Sequence, residues 1–369
     1  METVLYFIQT TASFLALLTV LVFVHEWGHY IIARINGVRV EIFSIGFGPE
    51  IWGFNDKNGT RWKFSWIPLG GYVKFFGDGP EANMSNNGLD TMNNKNRGES
   101  FYYKKLSQKA SIVVAGPAIN FLFAILIFTG LYFSHGRLVN APIVGSVVDG
   151  SAAAGAGILS GDRVISVDGK KISNFSDISI IMAFKVDNFS EVVVVRDTEL
   201  ISLSLELDIV DEEDILGQGI QKKMIGIRNV PEEMELVKYG LVGSFWQAII
   251  ETKEITIRNL TGIGQMILGK RSAKELGGPI TIARVAGKTA EYGVSSFLSF
   301  VALISIGLGT INLFPIPMLD GGHLLYYAIE AVRRKKMSEA AQELGAKFGV
   351  LLVLSLMVFT TFIDISRLG

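Results

Sequence analysis

No charged residue occurs between Val4 and Val24, and this run ends in His25-Glu26-Trp27-Gly28-His29. An apolar stretch of about 20 residues is what a helix needs to cross a bilayer, so the motif belongs to a membrane-spanning segment. If the helix continues, His25 and His29 stand at i and i+4 on one face. Two such imidazoles can hold one zinc ion, with Glu26 beside them as general base. Ionisable groups at this depth cost about 2.5–3.5 kcal/mol each on insertion scales, and they mark function by default. The placement points to peptide-bond hydrolysis inside a membrane.

The 369 residues are 49% hydrophobic, with a mean hydropathy of +0.38. That average predicts several spans alongside soluble parts. A net charge of −1 gives no field that would draw the chain to nucleic acid. There is no cysteine, and the four histidines are His25, His29, His135 and His323. Disulfides and thiolate zinc sites are therefore excluded, and a metal must be held by His, Asp or Glu. The N-terminus lacks a basic region before its apolar run and a small-residue cleavage site after it, which predicts a retained span rather than a signal peptide.

Charge-free runs at 110–134, 294–319 and 348–363 predict three further spans. The transmembrane helices are expected at 1–36, 108–135, 294–323 and 347–369. Arg34 and Arg39 follow the first run, Lys104, Lys105 and Lys109 precede the second, and Arg333-Arg334-Lys335-Lys336 separate the last two. By the positive-inside rule, 36–109 and 320–347 are cytoplasmic, while both termini and 135–293 are external. The motif then lies toward the cytoplasmic side.

Within 37–77, residues 61–76 (RWKFSWIPLGGYVKFF) predict a β-hairpin around Pro68-Leu69-Gly70-Gly71. The preceding Phe43-Ser44-Ile45-Gly46-Phe47-Gly48-Pro49 can enter the membrane only where protein shields its backbone. Residues 78–107 read as a mobile polar loop and 324–346 as a basic cytoplasmic loop. Segment 136–230 reads as a small soluble domain with strands near 143–148, 163–167, 192–196 and 201–207. In it, Ser176 or Asp177 caps a helix through about Lys185. Residues 231–293 carry apolar residues at helical spacing and predict amphipathic helices against the membrane.

A zinc ion with an open coordination position needs a third protein ligand. Asp320 is the best candidate. It follows Asn312-Leu313-Phe314-Pro315-Ile316-Pro317-Met318-Leu319, where two prolines break regular helix, and Gly321-Gly322 let the chain turn behind it. His323 is a rival, three residues on. His135, at the opposite end, reads as an interfacial histidine. Asn312 either hydrogen-bonds substrate backbone or joins helices. Asn120 invites the same two readings, and packing is the preferred one.

His25–His29, the AGPAIN of 115–120 and the NLFPIPMLDGG of 312–322 together resemble the site-2 protease family of intramembrane zinc metalloproteases. IPLGGYVKF, GFGP and the PDZ-like GSAAAGAGILSGDRVISVDGKKI of 150–172 are similar to the same family, in its bacterial branch that regulates envelope-stress sigma factors. The best-known members of that branch carry two tandem PDZ domains, whereas this chain has room for one. The resemblance implies that His25, His29 and Asp320 bind one Zn2+ per chain and that Glu26 is the catalytic base. It also implies that Asn312 engages substrate, and that the hairpin pairs with the substrate strand through Gly70, Gly71, Tyr72 and Val73. The implied fold is a polytopic α-helical membrane protein: four transmembrane helices, a membrane-associated β-hairpin on the cytoplasmic side and one extracytoplasmic α+β PDZ domain.

The implied location is the bacterial inner membrane. The implied partners are transmembrane protein substrates, peptide ends at the PDZ domain and the lipid bilayer, with no nucleic acid. The PDZ groove is expected beside the helix 176–185, with 222–227 as its terminal strand and carboxylate-binding loop; recruitment of substrates and exclusion of bulky ones are equally compatible with it. A transmembrane substrate helix hides its carbonyls in i→i−4 bonds, so cleavage requires unwinding, and an edge strand can take up the freed groups. Two other classes compete with this one. A non-catalytic PDZ adaptor is disfavoured by the intact motif, and a zinc transporter by ionisable residues gathered at one depth.

Overall fold

A computed structural model describes residues 2–78, 94–172, 174–213, 219–229 and 234–367. Residues 79–93 of the expected polar loop 78–107 lie outside these residues. Its described end forms a short helix α2 (Asn94–Glu99). The chain divides into two compact units. The first holds Met1–Phe128, Ala248–Thr256 and Leu276–Gly369, and the second holds Thr129–Gln247 and Ile257–Glu275.

Among the described residues, four helices are long and apolar enough to cross a membrane: Val4–Ile35, Leu106–His135, Val294–Asn312 and Ala340–Ser366. They belong to α1 (Glu2–Ile35), α3 (Leu106–His135), α8 (Val294–Asn312) and α10 (Glu339–Ser366). In unit one, α1 packs against α8 and the amphipathic α7 (Pro279–Glu291) through buried Leu17, Leu21, Ala286 and Val301. Asp364 of α10 accepts hydrogen bonds from the backbone N–H groups of Gly278, Ile280 and Thr281 and from the Thr281 hydroxyl. That one carboxylate caps the start of α7.

The third span ends at Asn312 and does not run to 323. Pro315 and Pro317 lack the N–H a helix requires and push their predecessors out of the α region. A new helix α9 (Asp320–Arg333) then begins at Asp320. The expected basic loop 324–346 is accordingly mostly helix, because α9 runs to Arg333 and α10 starts at Glu339 behind the Ser338 cap. Charged residues on an exposed helical face are as compatible with the sequence as a loop is.

The hairpin also differs from expectation. The two halves of 61–75 do not pair with each other across Pro68-Leu69-Gly70-Gly71. They form one bent strand β2 (Arg61–Phe75) that pairs with β1 (Val40–Asn55). The tight turn is at 56–60, where the Asp56 carboxylate accepts from the N–H groups of Asn58 and Thr60, each at 2.8 Å. Because both strands bend, residues 42–45 lie between 61–64 on one edge and 71–74 on the other. The segment 71–75 is thus an outer edge. Buried Val38, Val40 and Phe75 anchor this sheet against Ala33 of α1 and Ile112 of α3.

Unit two is built around a four-stranded sheet, order β6-β5-β7-β8 (Lys170–Lys171, Arg163–Val167, Phe189–Arg196, Glu199–Glu206). Val164, Val167, Val192, Val194 and Leu205 fill its core with Ile178 and Met182. The latter two come from the helix α5 (Phe175–Ala183). Its cap is Asn174, not Ser176 or Asp177. The Asn174 side chain accepts from the Ser176 N–H, and the Asp177 carboxylate accepts from the Asn174 N–H at 2.8 Å. Around the sheet lie α4 (Ala152–Ala156) and three two-stranded pairs. These are β3 (Arg137–Asn140) with β12 (Met234–Val237), β4 (Val144–Val147) with β11 (Ile227–Asn229), and β9 (Asp208–Glu213) with β10 (Gly219–Met224). The remaining long helix is α6 (Leu241–Ile267).

Candidate metal centre

The last turns of α1 carry the motif, so His25 and His29 share a face with their ring centroids 4.8 Å apart. Asp320 opens α9 after the proline-broken turn. Gly321 permits this arrival, since a Cβ there would collide with the carbonyls of Leu313 and Phe314. Met318 holds a φ of +81° in the same turn, the left-handed region that costs a non-glycine residue on the order of 1–3 kcal/mol. Strain is therefore stored where the chain presents its carboxylate.

The three side chains converge. His25 Nε2 lies 3.2 Å from Asp320 Oδ2, His29 Nε2 3.5 Å from Asp320 Oδ1, and the two Nε2 atoms 3.3 Å from each other. Tetrahedral zinc with bonds of about 2.0–2.2 Å sets its ligand atoms about 3.3–3.6 Å apart. Asp320 Oδ2 is buried and makes no hydrogen bond despite its short distance to His25. His29 Nδ1 lies 2.9 Å from the Ile112 carbonyl, which can only accept, so Nδ1 carries the proton and Nε2 of the neutral ring presents a lone pair. An imidazole lone pair and carboxylate oxygens aimed at one point are mutually repulsive unless a cation lies between them. The donor set fits a zinc ion.

These side chains line a cavity of about 260 Å³, together with Glu26, Asn312, Tyr72 and Val73. Across this cavity Glu26 faces Tyr72 and Val73, which belong to the outer edge of the sheet. Asn312 is the buried last residue of α8. Gly70 and Gly71 are not among the residues lining this cavity; Gly70 lies beside Phe47, whereas Gly71 lies beside Val22 and the Glu26 side chain. His323 also lines the cavity, from the next turn of α9, but stands outside the converging triad. His135 is at the far end of α3 beside the Ser134 hydroxyl.

Residues 13–356 match the family described as Peptidase family M50. The chain belongs to peptidase family M50. It is a metalloprotease and a membrane protein, and the family is the one its motifs resemble. A Mesorhizobium japonicum protein provisionally named a zinc metalloprotease is 41% identical over 97% of this chain and 99% of its own length. A similarly named Rhizobium meliloti protein is 41% identical over 97% of each chain. Metalloprotease MmpA of Caulobacter vibrioides is 33% identical over 98% of this chain and 96% of its own. The PDZ domain of an SdrC-like protein from Listeria monocytogenes matches at 15% identity and a TM-score of 0.21, over 26% of this chain and 95% of that one. That likeness is too slight to assign the fold of unit two.

Two features of this M50 protease escaped the sequence reading. One is Gly116 of α3, where a Cβ would collide with His29 Nε2 and His25 Cε1. Its neighbour Ala115 is also small, and small residues in a span mark close helix approach, so that signal was available. The other is Asn120, read from sequence as packing. It is fully buried, and its amide lies 3.0 Å from His25 Nδ1. No local spacing connects it to a histidine on another helix.

Proposed function

We propose that this M50 protease cuts peptide bonds within transmembrane segments of single-pass membrane proteins, at one zinc ion held by His25, His29 and Asp320. Zinc is the cofactor of the enzyme. The observation that carries the reading is the convergence of the three donors beside Glu26 at the end of an apolar helix. When bound, zinc polarises a peptide carbonyl and brings the pKa of a water to about 7. Glu26 takes the proton of the attacking water and returns it to the leaving nitrogen. Glu26 shares the cavity wall with Val73 of the edge strand, which puts its carboxylate on the side of the substrate.

The edge segment 71–75 supports strand addition by an unwound substrate, with Tyr72 and Val73 nearest the reacting centre and Gly70 and Gly71 continuing the strand. Such pairing satisfies backbone groups that unwinding frees in a low-dielectric setting. Asn312 donates its amide to the substrate backbone from the opposite wall. The substrates are single-pass proteins already shortened outside the membrane, such as a tethered anti-sigma factor or a remnant signal peptide.

The enzyme sits in the bacterial inner membrane with its active site toward the cytoplasm. Residues 136–230 form an external PDZ domain that captures peptide ends beside α5. The packing of α5 near β10 supports a groove there.

Glu26→Gln tests the chemistry. It keeps zinc and substrate binding and lowers turnover by about 10²–10⁴-fold, the usual contribution of general acid–base catalysis. Mass spectrometry of a transmembrane substrate incubated with each protein reads the result. Cleavage at the wild-type rate would remove Glu26 from its role.

A further inference from the structure

His29 has its tautomer fixed by a carbonyl. The partner of His25 is ambiguous in a way that carries information. His25 Nδ1 faces an Asn120 amide nitrogen at 3.0 Å, an arrangement in which Nδ1 accepts and the proton sits on Nε2. Yet Nε2 is the atom directed at Asp320 and at His29 Nε2. A protonated Nε2 cannot bind a metal.

The amide itself resolves the conflict. Asn120 Oδ1 is buried and has no hydrogen-bond partner, so nothing but the imidazole orients this side chain. A half-turn about Cβ–Cγ exchanges the oxygen and nitrogen with no change in shape. Then Oδ1 accepts from Nδ1–H, and Nε2 carries a lone pair, as it does in His29. The helix around it holds the amide in place. The Asn120 backbone carbonyl accepts from the Ser305 hydroxyl of α8 at 2.9 Å, and a Cβ at Gly309 would sit 3.3 Å from Asn120 Cβ.

We propose that Asn120 is a positioning residue that fixes His25 in the Nδ1–H tautomer, its amide oxygen accepting from Nδ1 so that Nε2 is left to the metal. The inference rests on the metal centre proposed above. With the Ile112 carbonyl on His29, it makes α3 the helix that sets both imidazoles while supplying no metal ligand itself. Outer partners of this kind change metal affinity by about 10–100-fold when removed.

The test is zinc affinity of the full-length, detergent-solubilised protein, read by competition with a chromogenic chelator at one pH. Asn120→Leu keeps the shape and removes the acceptor, and it is expected to weaken zinc binding about 10–100-fold. Asn120→Asp can only accept from Nδ1–H, and it is expected to escape the loss of about 10–100-fold and hold zinc close to wild type or more tightly. Loss of tenfold or more in Asn120→Asp overturns the proposal, because an amide that served as donor would fail there. This arm decides even if the leucine variant does not fold. Wild-type affinity in folded Asn120→Leu also overturns it, provided that His25→Ala in the same assay has lost zinc. Unchanged affinity in His25→Ala overturns the metal centre itself, and this inference with it.

Discussion

At the scale of single residues, the centre depends as much on an absent side chain as on those present. Gly116 leaves room for both imidazoles, and a methyl group there would meet His29 Nε2. Gly116→Ala should gain helix propensity of about 1 kcal/mol, yet it overpacks the site by a similar or larger amount, about 1–3 kcal/mol. The ligand geometry is what gives way. Zinc content and cleavage are expected to fall about tenfold or more while the protein still folds. Gly130 lies on the same helix with open space around its Cα, so Gly130→Ala should leave zinc content unchanged. Equal behaviour of the two variants in metal analysis would show that the approach of α3 to the histidines is not needed.

At the scale of elements, the caps decide where helices start. Asp364 gathers four donors at the entry to α7, including the Thr281 hydroxyl at 2.6 Å. Asp364→Ala leaves those donors buried and unmet, and it should cost about 2 kcal/mol, the upper range for a lost cap. A lower midpoint in thermal unfolding of the solubilised protein, restored by Asp364→Asn in part only, is the expected result. In unit two, the Arg196 guanidinium bonded to Asp162, with the Leu159 N–H, holds the Asp162 carboxyl below the usual carboxylate range. A depressed folded value adds stability above the unfolded value, about 3.9, and that stability is lost as pH falls through the folded value. Acid titration followed by hydrogen exchange of β5 and β7 should show unit two loosening below about pH 4. Asp162→Asn should remove that acid dependence. These caps and pairs mark the limit of what the sequence discloses. His25 and His29 were legible because their relation is local, four residues on one helix. The four spans were legible because hydropathy needs no partner. The doubling of β1 onto both halves of β2 was not, since long-range register depends on bends at 47–50 that no alternation pattern encodes. Asn174 was missed in favour of Ser176 and Asp177 because all three can cap, and only the backbone selects among them.

At the scale of the whole molecule, the proposal stands on topology, which the distribution of cations predicts and accessibility can measure. The chain has no cysteine, so a single introduced thiol reports its own side of the membrane with no background. Asp149 and Lys335 are both exposed and lie in segments that the positive-inside rule assigns to opposite faces. Asp149→Cys should react with a membrane-impermeant maleimide in spheroplasts, whereas Lys335→Cys should react only after lysis. The mechanism needs this arrangement. In the proposed mechanism, substrates shortened outside would present their remaining span to a centre near the cytoplasmic face, and the products would leave on that side. Labelling of Lys335→Cys in intact spheroplasts would reverse the orientation. The metal chemistry would then survive, but the order of an outer cut before the intramembrane cut would lose its physical basis.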